Sequence, residues 1–294
     1  MQCIINRRAE FSASHRYWFP EQSELSNFEQ FGACARFPGH GHNYELYVSM
    51  LGEIDLHGMV LNLSDVKHVI KREITSQLDF SHLNDAWPEF KDSLPTTENI
   101  ARLIWDRLAP HLPLVNIRLY EHPRLWADYK GAGMQAYLTV GTHFSAAHRL
   151  ALPDLSFEEN SEIYGKCARP NGHGHNYHME VTVKGEVDAR TGMLVDLGKL
   201  HQVIEDVVIE PLDHTFLNKD ITYFETVVPT AENIAVYAAR LLKGPIQALG
   251  ATIERVKLIE SPNNSCEIDC SWLNDEANMD EANMSELNQM ALVS

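Results

Sequence analysis

The sequence predicts an α+β fold in two tandem units of similar size. A pattern of one cysteine and three histidines occurs twice, and corresponding residues lie 133 positions apart. Around each copy, alternating apolar residues indicate two strands, helical spacing then indicates two helices, and a further strand closes the unit. With 294 residues the chain is long enough for two ordinary domains.

The repeated motif places a cysteine six residues before a His-x-His pair. The later copy reads Cys-Ala-Arg-Pro-Asn-Gly-His-Gly-His-Asn-Tyr and starts at Cys167, and the earlier one starts at Cys34. Each copy follows a Phe-Ser-Ala-x-His segment, whose histidine completes the set. The corresponding residues of the two copies are His15 and His148, Cys34 and Cys167, His40 and His173, and His42 and His175.

Three histidines in this pattern can bind one metal ion. Side chains two apart on a strand point to the same face, so His173 and His175 can reach one ion, with His148 arriving from a neighbouring strand. Three imidazoles with an open fourth position are typical of a catalytic zinc site, which leaves the cysteine free for chemistry. We therefore expect about one zinc ion per repeat. The glycine between the paired histidines lets a substrate or another backbone approach closely.

The first unit begins with a strand from residue 3 to His15. A polar stretch from Pro20 to Phe31 is typical of a loop. Residues 42–51 alternate between apolar and polar, which predicts a second strand in an antiparallel hairpin with the first.

Two helices and a strand complete the first unit. An apolar stripe with Ser64 as N-cap predicts the first helix. The segment Pro-Thr-Thr-Glu98-Asn leads into the second helix, and residues 115–121 form a strand that ends in Glu121.

The second unit repeats this order after a short Gly-Ala-Gly joint at residues 131–133. Its last helix is expected to end at Gly244, and its last strand ends in Glu260, which corresponds to Glu121. We assign residues 1–131 to the first repeat, 132–270 to the second and 271–294 to an acidic, solvated extension.

Composition excludes several classes of protein. A formal net charge of −17 argues against nucleic acid as a partner, because binding to a phosphate backbone needs a basic surface. No apolar run has the roughly 18–20 residues of a membrane span, and no signal peptide is recognisable, so a cytoplasmic location is expected. Five cysteines, an odd number, indicate free thiols rather than a disulfide framework.

The order of these motifs resembles the 6-pyruvoyltetrahydropterin synthase family. The blocks that carry the resemblance are Phe-Ser-Ala-Ala-His148, the cysteine-histidine motif, Leu-Asp213-His214 and Pro-Thr-Ala-Glu-Asn. Both repeats are covered, and only the acidic extension is left out. The family includes the 6-carboxytetrahydropterin synthases of the queuosine pathway, which typically have a shorter gap between the cysteine and the histidines. The longer gap here favours the pyruvoyl branch.

The resemblance implies a fold, a substrate and an assembly. The fold is the tunnelling fold, a four-stranded antiparallel sheet with two helices on one face, in which three units join their sheets into a barrel. The substrate is 7,8-dihydroneopterin triphosphate, which could bring Mg²⁺ with it, and the reaction is that of a lyase. Because one chain carries two units, we expect a homotrimer that behaves as a hexamer of units.

The resemblance also implies roles for individual residues. The three histidines of each repeat hold zinc, Cys167 is the catalytic base, and Asp213 with His214 completes a triad formed between subunits. A carboxylate can accept two parallel N–H bonds from a pterin ring, so Glu260 anchors the ring. Thr230 and Glu232 lie beside Glu260, and the counterparts of the two glutamates in the first repeat are Glu121 and Glu98.

The first repeat departs from the family pattern at one position. Asp79 corresponds to Asp213, but Phe80 stands where the second repeat has His214. His82 lies two residues farther on, too far to act in the same place. The sequence therefore predicts a complete site around Cys167 and an incomplete second site around Cys34 and Asp79.

Other functions remain open at this point. The product could be 6-carboxytetrahydropterin rather than the pyruvoyl compound. A non-catalytic zinc-binding assembly protein and a zinc hydrolase are rival hypotheses, and the two cysteines argue against both because neither function needs a thiol. A GTP cyclohydrolase is disfavoured because its zinc site resembles a cysteine-and-histidine one.

Overall fold

The computed structural model describes residues 1–273 of the chain. The expected acidic extension lies outside the described residues from residue 274 onward. Two compact units are present. The first contains Met1–Val140 together with Lys184–Asp196, and the second contains Gly141–Val183 and the chain from Leu197 onward.

Ten strands and ten α-helices are formed by the described residues. The strands are β1 Gln2–His15, β2 His40–Glu53, β3 Ser81–His82, β4 Leu114–His122, β5 Leu125–Tyr129, β6 Gln135–His148, β7 His173–Glu186, β8 Thr215–Phe216, β9 Thr252–Ser261 and β10 Asn264–Asp269. The helices are α1 Glu24–Phe31, α2 Leu63–Ile70, α3 Ser76–Leu78, α4 Leu83–Ala86, α5 Thr97–Leu108, α6 Phe157–Tyr164, α7 Leu197–Ile204, α8 Glu210–Leu212, α9 Leu217–Asp220 and α10 Ala231–Ala248. Short 3-10 turns span Gly32–Ala35, Pro88–Lys91, Gly165–Ala168 and Thr222–Glu225, and π-helical turns span Lys71–Thr75 and Glu205–Ile209.

The first unit is built on the antiparallel strands β1, β2, β4 and β5. Side chains along β2 alternate between buried and partly exposed, so Leu46 and Val48 face the core and are fully buried. Helix α5 packs against β4 and β5, and α2 packs against β1. This arrangement confirms the predicted α+β class and the four-stranded sheet with two helices on one face.

The second unit repeats the arrangement with β7, β9, β10 and the part of β6 from Gly141 onward. Its inward-facing residues Tyr177, Met179 and Val181 are fully buried, and helix α10 packs against β9 and β10. Each unit also has a two-residue parallel strand that the sequence did not predict, β3 beside β1 and β8 beside β6.

Three local predictions were wrong. The polar stretch from Pro20 to Phe31 contains helix α1, whose N-cap Ser23 accepts a hydrogen bond from the backbone of Ser26. The N-cap of α2 is Asn62 rather than Ser64, because the Asn62 side chain accepts from the Ser64 N–H. Helix α10 does not end at Gly244.

Helix α10 continues through Gly244 and Pro245 to Ala248. The next turn carries Ile246, which is fully buried, so packing extends the helix past two poor helix formers. The chain leaves the helix after Leu249, where Gly250 has φ of +85°.

Candidate active site

Each cluster of three histidines forms where the end of one strand lies beside the start of its antiparallel neighbour. His15, the last residue of β1, is directly opposite His40, the first residue of β2. His42 points to the same face two residues on. The Nε2 atom of His15 lies 3.2 Å from the Nε2 atoms of both His40 and His42. In the second unit, the Nε2 atoms of His148 and His173 are 3.1 Å apart.

Backbone carbonyls orient the buried histidine of each cluster. The Nδ1 atom of His15 is 3.0 Å from the carbonyl oxygen of Pro95, and that of His148 is 2.8 Å from the carbonyl of Pro229. A carbonyl can only accept, so Nδ1 carries the proton and the Nε2 lone pair faces the cluster. The prolines belong to the duplicated Pro-Thr segments, whose sequence does not predict this contact.

Asparagine side chains hold the chain just after these histidines. Asn84 accepts from the Arg16 N–H at 2.9 Å and donates to the Arg16 carbonyl at 2.8 Å. Asn218 makes the same two bonds to Arg149, at 2.8 and 2.9 Å. Sequence reasoning missed these residues, although their matched positions in the two repeats were a usable signal.

Burial favours the neutral form of four of the cluster histidines. Desolvation lowers the pKa of His15 to about 3, even though its bond to Pro95 opposes the shift. Desolvation also lowers the pKa values of His40, His148 and His173. Neutral imidazoles are the form that binds metal, so the lowered pKa values of these four side chains favour metal binding.

The geometry fits a zinc ion in each cluster. Tetrahedral zinc with Zn–N bonds of about 2.0–2.1 Å holds its nitrogen ligands about 3.3 Å apart, close to the observed separations. In each set the three ligand atoms lie within 4.8 Å of one another. The Nε2 atom of His175 is buried without a hydrogen-bond partner, as expected of an atom that ligates a metal. The clusters His15, His40, His42 and His148, His173, His175 are therefore consistent with zinc.

The glycine between the paired histidines serves the fold. A Cβ atom on Gly41 would be 2.9 Å from the carbonyl oxygen of Ala13, and one on Gly174 would be 3.2 Å from that of Ala146. The close approach at this position is therefore made by the neighbouring strand.

A carboxylate adjoins each cluster, that of Glu121 in the first unit and that of Glu260 in the second. An oxygen of Glu121 is 3.4 Å from Nε2 of His42, and an oxygen of Glu260 is 3.6 Å from Nε2 of His175. The other oxygen of Glu121 accepts a 2.5 Å hydrogen bond from the Thr97 hydroxyl. Ala231 occupies the position of Thr97 in the second repeat and has no hydroxyl, and the Asn264 side chain donates to Glu260 at 3.4 Å.

The two cysteines lie in matching 3-10 turns, Gly32–Ala35 and Gly165–Ala168. The carbonyl of Cys34 accepts from Tyr17 N–H, and the carbonyl of Cys167 accepts from Leu150 N–H, both at 3.0 Å. Both cysteines are partly buried. Burial, followed by the nearby Glu121 carboxylate, raises the pKa of the Cys34 thiol.

The Asp213–His214 pair is preformed. Asp213 accepts from the Ser145 N–H at 2.7 Å, and its other oxygen lies 2.8 Å from Nδ1 of His214. These bonds, chiefly the first, lower the pKa of Asp213. His214 has φ of +57° and its side chain is 83% exposed. Its imidazole is therefore accessible from outside the unit.

Asp79 and Phe80 reproduce this conformation without the histidine. Asp79 accepts from the Ser12 N–H at 2.9 Å, and Phe80 has φ of +54° and is 90% exposed. The side chain of His82 bonds Asp85 instead.

The structure brings together some of the expected site residues and separates others. His214 lines a groove with His175, Asn176 and Ser145, and the described residues that line it do not include Cys167. Thr230 and Glu232 begin helix α10, with Thr230 as its N-cap. Thr230 is partly buried and Glu232 is exposed, whereas their counterparts Thr96 and Glu98 are buried.

Comparisons with known proteins match the same family to two separate ranges of this chain. The model of the family described as 6-pyruvoyl tetrahydropterin synthase matches residues 4–132 and 137–270. A 6-pyruvoyl tetrahydrobiopterin synthase of Pongo abelii is 45% identical over 134 residues, which cover 46% of this chain and 91% of that protein. A putative 6-carboxy-5,6,7,8-tetrahydropterin synthase of Archaeoglobus fulgidus is 31% identical over 129 residues, 44% of this chain and 91% of that protein.

A solved structure of Caenorhabditis elegans 6-pyruvoyl tetrahydropterin synthase is 39% identical, with a TM-score of 0.44. The match covers 47% of this chain and 96% of that structure. In the described part of the chain, no helix is both long and apolar enough to cross a membrane.

Proposed function

Because the chain belongs to the 6-pyruvoyl tetrahydropterin synthase family in two tandem copies, we propose that it is a zinc-dependent tetrahydropterin synthase. Its substrate is 7,8-dihydroneopterin triphosphate, and its product is 6-pyruvoyltetrahydropterin. The observation that carries the proposal is in the second unit. There the three-histidine cluster, the adjoining carboxylate of Glu260 and the preformed Asp213–His214 pair occur in one repeat.

Different residues of the second unit perform the separate steps of the reaction. Zinc bound by His148, His173 and His175 would polarise hydroxyl groups of the substrate side chain and acidify the adjacent carbon. Cys167 removes protons from that carbon as a thiolate. His214, held by Asp213, exchanges a proton with a cysteine across a subunit boundary. Triphosphate leaves while hydrogen is redistributed within the molecule, so no external reductant is consumed.

Residues near Glu260 hold the pterin ring. The Glu260 carboxylate accepts two parallel N–H bonds from the ring, and Thr230 and Glu232 lie at the start of the neighbouring helix. In the first unit Glu121 and Glu98 take these positions. There Glu121 is already bonded by Thr97, so the two units present different surfaces to a substrate.

Product analysis tests the proposal. Purified protein is incubated with 7,8-dihydroneopterin triphosphate, and the products are identified by mass. Release of triphosphate with 6-pyruvoyltetrahydropterin supports the proposal. The higher identity to relatives named as pyruvoyl enzymes favours this product over 6-carboxytetrahydropterin. Formation of 6-carboxytetrahydropterin would instead identify a 6-carboxytetrahydropterin synthase. An unchanged substrate would contradict catalysis and favour a non-catalytic zinc-binding protein.

The assembly and location are part of the same proposal. We expect a homotrimer in the cytoplasm, so light scattering should give about three times the chain mass of 33.4 kDa. A stable monomer would rule out a site completed between subunits.

A further inference from the structure

The second unit has a cavity at a place that the first unit fills with an aromatic side chain. The volume of this cavity is about 300 Å³, at the lower end of the range for small-molecule sites. Its lining includes Arg149, Ala151 and Phe216. The cluster histidines, Cys167 and Glu260 are not among the described residues that line it, so the cavity is separate from the candidate active site.

The arginine beside the cavity is held in the same way in both units. In the first unit, Nε of Arg16 donates to the carbonyl of Ala35 at 2.7 Å. In the second, Nε of Arg149 donates to the carbonyl of Ala168 at 2.9 Å. The two guanidinium groups therefore have equivalent positions within their units.

The chain three residues after each arginine is fixed by an equivalent bond. Phe19 N–H donates to the side-chain oxygen of Asn27 at 2.7 Å, and Leu152 N–H donates to that of Asn160 at 2.7 Å. The residue just before each of these donors, a tryptophan in the first unit and an alanine in the second, therefore has the same position in both units.

In the first unit this tryptophan covers the arginine. The guanidinium carbon of Arg16 is 3.7 Å from the centre of the Trp18 ring and 5.7 Å from that of the Phe37 ring. A cation over an aromatic face is attracted by the ring. Trp18 also packs on an apolar cluster that includes Tyr17 and Phe19. Its indole therefore occupies the space beside the guanidinium group.

The second unit lacks both of these rings. Ala151 stands at the position of Trp18, and Pro170 stands at that of Phe37. Both replacements line the cavity, as does Arg149. The exchange of an indole for a methyl group leaves a space beside the guanidinium group that the first unit does not have.

The remaining walls of the cavity are apolar, with an excess of positive charge. Phe216 and Phe224 contribute aromatic surface, and Nζ of Lys219 is 4.8 Å from the centre of the Phe216 ring. Among the described residues that line the cavity, the charged ones are Arg149, Lys219 and Glu225, two cations and one carboxylate. Such a lining favours a flat apolar ring with an anionic substituent.

We propose that this cavity binds a small planar aromatic molecule that carries a carboxylate or a similar anionic group. Its ring lies on the guanidinium group of Arg149, as the indole of Trp18 lies on Arg16, and its anionic group faces Lys219. Residues 274–294 contain no Phe, Tyr or Trp, so that segment does not supply the ring. The inference goes beyond the proposed function, which assigns no ligand to this cavity.

The cavity adjoins two elements of the candidate active site through Arg149. This arginine directly follows His148 of the metal cluster, and its Nε bonds Ala168, which directly follows Cys167. A ring stacked on Arg149 therefore touches the residue that connects the cluster to the turn of the cysteine. This position is that of an effector site for the second unit.

Calorimetric titration of the full chain with indole-3-acetate tests the proposal without any substrate. The parent should bind about one molecule per chain with a Kd below about 1 mM. Ala151→Trp should weaken binding by about tenfold or more, because the new indole occupies the cavity as Trp18 does in the first unit. Ala248→Trp is the matched control, since Ala248 is exposed and does not line the cavity, and it should bind like the parent.

Three outcomes of this titration would overturn the proposal. They are no binding by the parent, parental binding by Ala151→Trp, and equal loss in both tryptophan variants. Circular dichroism checks that the variants are folded. Ala151→Leu fills the cavity with a smaller side chain, and it gives a second measurement if the tryptophan variant does not fold.

The expected contact with Lys219 has its own test. Lys219→Met should weaken the binding of indole-3-acetate by about threefold or more and leave the binding of neutral indole unchanged, because the cation is lost and the apolar stem is kept. An equal effect on both probes, or none on either, contradicts the role of Lys219.

A variant of the proposed pterin anchor separates this inference from the proposed function. Glu260→Gln should bind indole-3-acetate like the parent, because Glu260 does not line the cavity. Loss of binding in this variant would place the probe at the proposed pterin site and overturn the inference. A protein that binds the probe as expected but shows no turnover would keep this inference and lose the proposed function.

Discussion

At the scale of single residues, each histidine cluster depends on imidazoles that the fold directs at one point. His15 and His148 are 0% and 1% exposed, and each is oriented by a proline carbonyl. The repeated spacing was enough to predict all six histidines. The prolines could not be predicted as partners, because they lie 80 and 81 residues away along the chain.

Removing one histidine should remove one metal ion. We expect about two zinc ions per chain and about one after His173→Ala, because two remaining imidazoles hold zinc weakly. Elemental analysis of the purified variant measures the ratio. His143→Ala is the control, since His143 is exposed and outside both clusters, and it should retain both ions. A parent that holds a single ion contradicts the assignment of the two clusters.

Glu98 should make stability depend on pH. Burial raises its pKa from the ordinary 4.5 to about 7, so the folded state retains a proton between these values that the unfolded state has lost. The free energy of unfolding therefore falls as the pH rises from about 4.5 through about 7. Glu98→Gln should stabilise the protein by roughly 1–3 kcal/mol at pH 8 and change little at pH 4.

Denaturant unfolding at both pH values measures this effect. The glutamine keeps the oxygen that accepts from Leu194 N–H, so this hydrogen bond is retained. Glu29→Gln is the control, because Glu29 is exposed, and it should not alter the pH dependence. Equal stability of Glu98→Gln and the parent at pH 8 contradicts the burial of a protonated carboxyl group.

At the scale of elements, strand alternation and repeat spacing predicted the sheets, but helix ends depended on packing. Period-two burial along β2 and β7 follows directly from the sequence. Helix α1 was missed because its short amphipathic stretch lies among polar residues. The end of α10 was misplaced because burial of Ile246 outweighs the local signal of Gly244 and Pro245. The bonds of Gly192 and Leu194 to Thr96 and Glu98 could not be foreseen, since they join residues 96 positions apart.

The corrected end of α10 predicts opposite effects at two glycines. Gly244 is helical, exposed and has open space around its Cβ position, so Gly244→Ala should stabilise by about 0.5–1 kcal/mol. Gly250 has φ of +85°, so Gly250→Ala should destabilise by about 1–2 kcal/mol. Thermal unfolding compares the two variants. A helix that ended at Gly244 would give the opposite order.

At the scale of the whole molecule, duplication has produced two unlike sites in one chain. Both units keep a three-histidine cluster, a cysteine and a carboxylate, but only the second keeps a histidine after its aspartate. Glu98 of the first unit is buried and accepts from Leu194 N–H, while its counterpart Glu232 in the second unit is exposed. We infer that the first unit mainly supports the structure and that the second performs the chemistry.

Turnover of 7,8-dihydroneopterin triphosphate by two matched cysteine variants tests this account most directly. Cys167→Ala should abolish product formation while keeping both zinc ions, because the base is lost and the histidines are untouched. Cys34→Ala should retain most of the activity, and Phe80→His should if anything add to it. Equal partial losses would show that sites with Phe80 work without the histidine. Loss of activity in Cys34→Ala with full activity in Cys167→Ala would contradict the account, because His214 would then serve the first repeat.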